Sequence, residues 1–172
     1  MGKITFIIGG ARSGKSGLAL RLAEEKGGKT AFIATAQALD KEMQKRIALH
    51  QKSRPGHWQT LEEPLRVSRL VKKIAHDFEV IIIDCLTLLI SNLLLARRKE
   101  ASIAAEVRRI HSLLKKAKGE TIIVSNEVGL GIIPENDLAR EFRDIAGRVN
   151  QIMAVKSDRV YFMFAGIPLK LK

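Results

Sequence analysis

Apolar residues fall into two alternating spacings along this chain. Unbroken runs at 4–8, 29–35, 78–84, 120–126 and 159–165 are rich in isoleucine, valine and phenylalanine, and they predict buried strands. Between them the apolar residues recur at helical spacing. Leu18, Leu20, Leu22 and Ala23 mark the first such segment, Met43 and Ile47 the second, and Leu65, Leu70, Val71 and Ile74 the third. Residues 86–96 read as a buried helix. A stripe of Ile103, Val107, Ile110, Leu114 and Ala117 predicts a helix over 102–118, and Ala139, Phe142, Ile145, Ala146, Val149 and Met153 predict another. Asp40 and Asn136 are placed to cap the helices that follow them, and Pro64 suits the first turn of the third helix. Residues 58–62 read as a short extended piece, and 166–172 as a basic tail after the last strand. The order of elements predicts an α/β fold with a mostly parallel sheet flanked by helices. No linker, repeat or composition shift divides the chain, which predicts one domain.

The junction of the first strand and first helix carries the most informative stretch. Gly9, Gly10, Ala11, Arg12, Ser13, Gly14, Lys15 and Ser16 match G-x-x-x-x-G-K-[ST]. In that loop backbone N–H groups close around phosphate oxygens, Lys15 reaches the β- and γ-phosphates, and Ser16 ligates Mg²⁺. Gly28-Lys29-Thr30 also reads G-K-[ST], but the position five before Gly28 is Ala23, within a helical pattern, so this second match is rejected.

Composition adds three constraints. A chain of 172 residues, 46% of them hydrophobic, can bury a sizeable core without disulfides. Its one cysteine, Cys85, sits in an apolar stretch, as a small core residue does, and suits a reducing cytoplasm. The longest later apolar run holds Thr87, Ser91 and Asn92 and falls short of the about 20 residues a membrane span needs, so a soluble cytoplasmic protein is expected. The formal net charge of +12 raises nucleic acid as a partner. The cations, however, are scattered over several segments, and aromatic residues for base stacking make up only 5% of the chain. Solvated helix faces and an anionic small-molecule substrate are the favoured reading, with no nucleic acid and no membrane span.

Further candidate positions lie at the carboxyl ends of strands, where open α/β sheets gather their ligands. Ala34, Thr35 and Ala36 end the second strand, and Asp84 ends the third apolar run, placed to hold Mg²⁺ opposite Ser16. His50 falls in the last turn of a helix that Pro55 and Gly56 must end. With Lys52 and Arg54 beside it, the imidazole could attack the phosphorus of a bound triphosphate. On spacing alone the favoured reading is an ordinary surface histidine at a helix end, meeting the dipole. His50 and His57 match no zinc spacing.

Four segments together resemble a known family. They are Gly9-Gly-Ala-Arg-Ser-Gly-Lys-Ser16, Phe32-Ile-Ala-Thr-Ala36, Arg46-Ile-Ala-Leu-His-Gln-Lys-Ser-Arg-Pro-Gly-His-Trp58, and Asn126-Glu-Val-Gly-Leu-Gly-Ile-Ile-Pro-Glu-Asn136 with its continuation to Gln151. With Asp84 they are similar to the bifunctional adenosylcobinamide kinase/adenosylcobinamide-phosphate guanylyltransferases of cobalamin assembly. The histidine segment and the long segment from Asn126 are more specific than the phosphate loop.

The resemblance implies a RecA-like P-loop NTPase core with two activities. One phosphorylates the aminopropanol hydroxyl of adenosylcobinamide with ATP or GTP. The other moves GMP from GTP onto a histidine, and from there to the corrinoid phosphate, releasing pyrophosphate and giving adenosylcobinamide-GDP. The histidine of that motif falls on His50. The resemblance further implies GTP contacts at Ala34, Thr35, Ala36, Gln51, Lys52, Ser53, Arg54 and Glu62, with Glu62 facing the guanine, Mg²⁺ on Ser16 and Asp84, and a homo-oligomer, with a trimer the expected form. Two departures stand out: some relatives carry a second histidine where this chain has Leu49, and some carry glutamate where it has Asp84. A P-loop kinase lacking guanylyl transfer is the alternative enzyme, and a basic nucleotide-dependent module on RNA or DNA the alternative outside enzymes.

Overall fold

The computed structural model describes residues 1–172. Its strands are β1 (Lys3–Gly9), β2 (Thr30–Ala34), β3 (Gln59–Glu62), β4 (Val80–Asp84), β5 (Glu120–Asn126), β6 (Arg159–Phe164) and β7 (Ile167–Lys170). The helices are α1 (Lys15–Lys26), α2 (Lys41–Lys52), α3 (Val67–Ile74), α4 (Leu86–Leu95), α5 (Glu100–Lys116) and α6 (Asp137–Lys156). All seven strands join one sheet in the order β3-β2-β4-β5-β1-β6-β7. Neighbours from β3 to β6 run parallel, and β7 alone runs antiparallel, against β6.

The unbroken apolar runs are explained by helices on both faces of the sheet, since a strand covered on both sides has no polar face to show. Period-two alternation sorts the side chains. Ile81 and Ile83 of β4 turn toward α3, α4, α5 and α6, together with Ile4, Phe6 and Ile123. Val80 and Ile82 turn the other way, with Ile7, Phe32 and Val124, against Leu18, Ala19 and Ala23 of α1. The stripe Ile103, Val107, Ile110 and Leu114 is wholly buried, as its spacing requires. In contrast, α2 buries none of its residues.

The expected caps form. Asp40 accepts from the Met43 amide at 2.7 Å and Asn136 from the Ala139 amide at 3.1 Å. Three expectations need correction. First, α3 opens at Val67 rather than at Pro64, because the Glu63 carboxylate captures the Leu65 and Arg66 amides at 3.0 and 2.8 Å and holds residues 63–66 in a turn. Second, residues 29 and 78–79 stand outside β2 and β4; there the Glu79 amide donates to the Lys29 carbonyl at 2.9 Å, closing the sheet's lower edge. Third, the basic tail is no tail: Ile167–Lys170 pairs with β6 across a two-residue turn, Ala165-Gly166, with φ of 49° and 85°. Two positive φ values in succession match the twist of a tight hairpin, and Pro168 is tolerated because β7 is the edge strand.

No helix is long and apolar enough to cross a membrane. The clustered cations Arg97, Arg98, Lys99, Arg108 and Arg109 are all exposed on α5 and the turn before it.

Asp158 fastens the N-terminal side of the sheet. Its carboxylate accepts the Ile4 amide at 2.7 Å and the Lys115 ammonium at 2.8 Å. The Lys115 hydrogen bond, helped by the Ile4 amide, holds its pKa below the ordinary 3.8. A depressed carboxylate pKa adds stability that is complete above the unfolded value and is lost as pH falls through the folded one. Asp158→Asn is therefore expected to cost about 1 kcal/mol at neutral pH, kept small because the side chain is 38% exposed. In denaturant titrations the gap between variant and wild type should close below pH 3.8.

Candidate active site

The site is built at the carboxyl ends of the central strands. Strand β5 lies between β1 and β4, so three chain ends stand side by side: Gly9 opposite Asn126, and Asp84 opposite Val124. The phosphate loop leaves β1 at Gly9, where an added Cβ would sit 2.5 Å from the Met163 carbonyl oxygen and 2.9 Å from Ser13 Oγ. No larger residue fits there. Gly14 takes φ 93° to turn the loop into α1, which aims the N-terminus of that helix at the cavity.

Within the loop Lys15 is 6% exposed, and its ammonium donates to the Gly10 carbonyl at 2.5 Å. Burial lowers its pKa from the ordinary 10.5, against the pull of Cys85 and Asp84, and the Arg46 guanidinium lowers it further. Ser13 Oγ is buried with no hydrogen-bond partner. A loop carrying a buried ammonium and an unpaired hydroxyl suits an anion with several oxygens. Gly10, Ala11 and Arg12 form the loop's open side.

Ser16 Oγ donates to Asp84 Oδ2 at 3.0 Å, so the last loop residue and the end of β4 meet. Two hard oxygen donors beside a phosphate-binding loop fit Mg²⁺, which takes one or two protein oxygens and completes its shell with phosphate and water. No group of three or more histidine, cysteine or carboxylate side chains is placed to hold a metal ion.

A cavity of about 620 Å³ opens from this loop. Its wall includes Arg12, Ser13, Gly14, Lys15, Ser16, Ala36, Asp84 and Asn126, and, from α2, Glu42, Lys45, Arg46 and His50. The helix α2 thus spans the mouth and brings the imidazole to the same cavity as the phosphate loop. Cys85 also lines it, but burial first and Asp84 second push its thiol up to about 11, so it holds no thiolate at neutral pH.

The other expected positions divide. Ala34 lies 7% exposed within β2, and Thr35 is fully buried. The Thr35 hydroxyl donates to the Cys85 carbonyl at 2.7 Å and accepts from the Cys85 amide at 2.9 Å, while Asn92 donates to the Thr35 carbonyl at 2.8 Å. Thr35 therefore fixes the end of β4, and of this trio only Ala36 reaches the cavity wall. Gln51, Lys52, Ser53, Arg54 and Glu62 gather at the outer edge, where α2 meets β3. Gln51 donates to Glu62 at 3.1 Å, Ser53 Oγ to the His50 carbonyl at 2.9 Å, and Arg54 to Thr60 Oγ1 at 3.3 Å, its guanidinium 3.7 Å above the Phe32 ring. Lys52 is exposed.

Glu42, Lys45, Arg46 and Asn126 are wall residues to which the sequence reading gave no role. Arg46 was findable, since it precedes His50 by one helical turn and must share its face. Asn126 is held by its backbone: its amide donates to Thr87 Oγ1 at 3.2 Å, and its carbonyl accepts from Asn150 at 3.0 Å. The signal for this grip was only the pair of asparagines, too short a pattern to interpret alone.

A parallel sheet with a lysine-bearing phosphate loop at the end of β1 and an aspartate at the end of β4 defines a P-loop nucleotide-binding protein. Consistent with that class, a solved KaiC-like protein from Pyrococcus horikoshii OT3 superposes with a TM-score of 0.56 at 16% identity, covering 93% of this chain and 70% of that one, a likeness of fold alone. The family described as cobinamide kinase / cobinamide phosphate guanyltransferase matches residues 5–171, and the chain belongs to it. The bifunctional adenosylcobalamin biosynthesis protein CobP of Pseudomonas aeruginosa is 46% identical over 167 residues, 97% of this chain and 96% of that protein. The bifunctional adenosylcobalamin biosynthesis protein CobU of Escherichia coli is 38% identical over 179 residues, 97% of this chain and 98% of that protein.

Proposed function

We propose that this chain phosphorylates adenosylcobinamide with ATP or GTP, and then transfers GMP from GTP to adenosylcobinamide phosphate through a guanylyl group held on His50. The observation that carries this reading is that His50 lines the same cavity as Lys15, Ser16 and Asp84.

The phosphate loop binds the triphosphate through its amides, Ser13 and the Lys15 ammonium, which offset charge on the β- and γ-phosphates. Ser16 and Asp84 hold Mg²⁺, which supplies further charge neutralisation when bound. In phosphorylation the corrinoid hydroxyl attacks the γ-phosphorus, and the nucleoside diphosphate stays on the loop. In guanylyl transfer a neutral ring nitrogen of His50 attacks the α-phosphorus, and the bond to the β-phosphate oxygen breaks with pyrophosphate leaving. A corrinoid phosphate oxygen then displaces the imidazole. Gln51, Arg54 and Glu62 read the guanine at the outer edge, with the Glu62 carboxylate accepting from its N1 and N2 groups. Leu130, Ile132 and Ile133, all exposed beyond the carboxyl end of β5, supply apolar surface for the corrinoid on this edge of the sheet.

Incubation with adenosylcobinamide, ATP and Mg²⁺ should give the phosphorylated corrinoid. Later addition of GTP should give adenosylcobinamide-GDP and one pyrophosphate per turnover. A product that stops at the phosphate with GTP in excess would select the kinase-only alternative.

A further inference from the structure

The cavity carries more positive charge than the phosphate loop alone supplies. Arg12, Lys15, Lys45 and Arg46 face it, against Glu42 and Asp84. Arg140, Arg143, Arg148 and Arg159 each pair with a carboxylate elsewhere in the molecule, whereas Arg46 belongs to no ion pair. Nor is its charge remote from the loop, because it contributes to the lowered pKa of the Lys15 ammonium. Two cations that repel each other across a cavity favour an anion between them.

The position of Arg46 narrows which anion this is. It lies four residues before His50, so the guanidinium and the imidazole share one face of α2 one turn apart. The cations on the other side of His50 are committed elsewhere: Arg54 stacks on Phe32 and bonds Thr60, and Lys52 stands outside the cavity wall. When the imidazole attacks the α-phosphorus, the departing atoms are the β- and γ-phosphates, on the Lys15 side of the triphosphate. A guanidinium on the same cavity wall as His50 and Lys15, near enough to lower the Lys15 pKa, can meet those atoms, and its planar fork can donate two hydrogen bonds to one phosphate where a lysine makes a point contact.

Resting on the reading of His50 above, we propose that Arg46 is a further catalytic residue of guanylyl transfer, binding the pyrophosphate that leaves as His50 takes the guanylyl group. The N–P bond forms as the P–O bond to the β-phosphate breaks. The electron pair departs with pyrophosphate, and the proton on the second ring nitrogen passes to water. Arg46 meets the charge that develops on the leaving oxygens, and stabilisation of that kind lowers the barrier more than it tightens GTP binding.

The test follows a single turnover of α-labelled GTP on the full chain with Mg²⁺, beside equilibrium GTP binding. Arg46→Ala should slow formation of the labelled protein by about 10²-fold while weakening GTP binding far less. Arg46→Lys should recover part of that rate. In the reverse direction, release of GTP from the labelled protein should need a higher pyrophosphate concentration for half-maximal rate in Arg46→Ala than in wild type. Wild-type labelling rates in Arg46→Ala, or a loss of rate matched by the loss of GTP affinity with unchanged pyrophosphate dependence, overturn the proposal. Absence of label on the wild-type protein removes the reading of His50, and this proposal with it. Because α2 buries none of its side chains, neither substitution threatens the fold.

Discussion

His50→Ala is expected to leave no covalent label when the protein is incubated with α-labelled GTP and Mg²⁺, where the wild type retains one acid-labile guanylyl group per chain. Two other nucleophilic side chains on the wall are disfavoured, since Lys15 is folded onto the Gly10 carbonyl and the Cys85 thiol is held up at about 11. Removing the attacking atom itself takes away the step rather than slowing it. GTP labelled on the γ-phosphate provides the control, because that phosphate leaves with pyrophosphate and should mark neither protein. Label that persists in His50→Ala would move the nucleophile elsewhere and disconnect α2 from the chemistry.

If one loop serves both reactions, as proposed, Lys15→Met is expected to lower phosphorylation and guanylyl transfer alike by at least about 10²-fold. It should also separate the protein's stability from its ligand response. Burial depresses the ammonium's pKa, so without nucleotide the folded state pays for that charge, and the cost is relieved as pH rises through the folded pKa toward 10.5. Methionine keeps the buried stem without the charge, and the nucleotide-free variant should unfold at no lower a denaturant concentration than wild type. Bound triphosphate reverses the sign by favouring the ammonium. The rise in melting temperature on adding nucleotide should therefore be large in wild type below the Lys15 pKa, shrink at alkaline pH, and be nearly absent in Lys15→Met. A variant that keeps the wild-type nucleotide response would show that the loop binds without its lysine.

The sequence revealed most where one physical cause dominated. Strands covered on both faces left apolar runs at β1, β4 and β5, and the stripe on α5 left its period. The Asp40 and Asn136 caps were legible because each captures an amide three residues on. The hairpin to β7 was missed because Ala165-Gly166 lacks the asparagine or aspartate usual in such turns, and because Pro168 and the lysines resemble a loose end. Within the site, the phosphate loop and Asp84 were readable from local order alone. Thr35 was not, since its hydroxyl answers to Cys85, fifty residues away in sequence and adjacent only across the sheet. The basic residues near His50 were sought on its C-terminal side, where the chain carries Lys52 and Arg54, while the helix turned Lys45 and Arg46 to the cavity.

The bare underside of α2 has a consequence for selectivity. A helix with no buried side chain draws little of its order from the core, so its amides should exchange with solvent far sooner than those of β1 or β5. The phosphate loop, by contrast, grows from β1, in which every residue but Lys3 is buried. Part of the binding free energy of a nucleotide is then consumed in stilling the helix that carries the imidazole, and a ligand that grips only the loop leaves that helix free. On the proposed role of His50, covalent transfer should then be confined to nucleotides that engage both ends of the cavity at once.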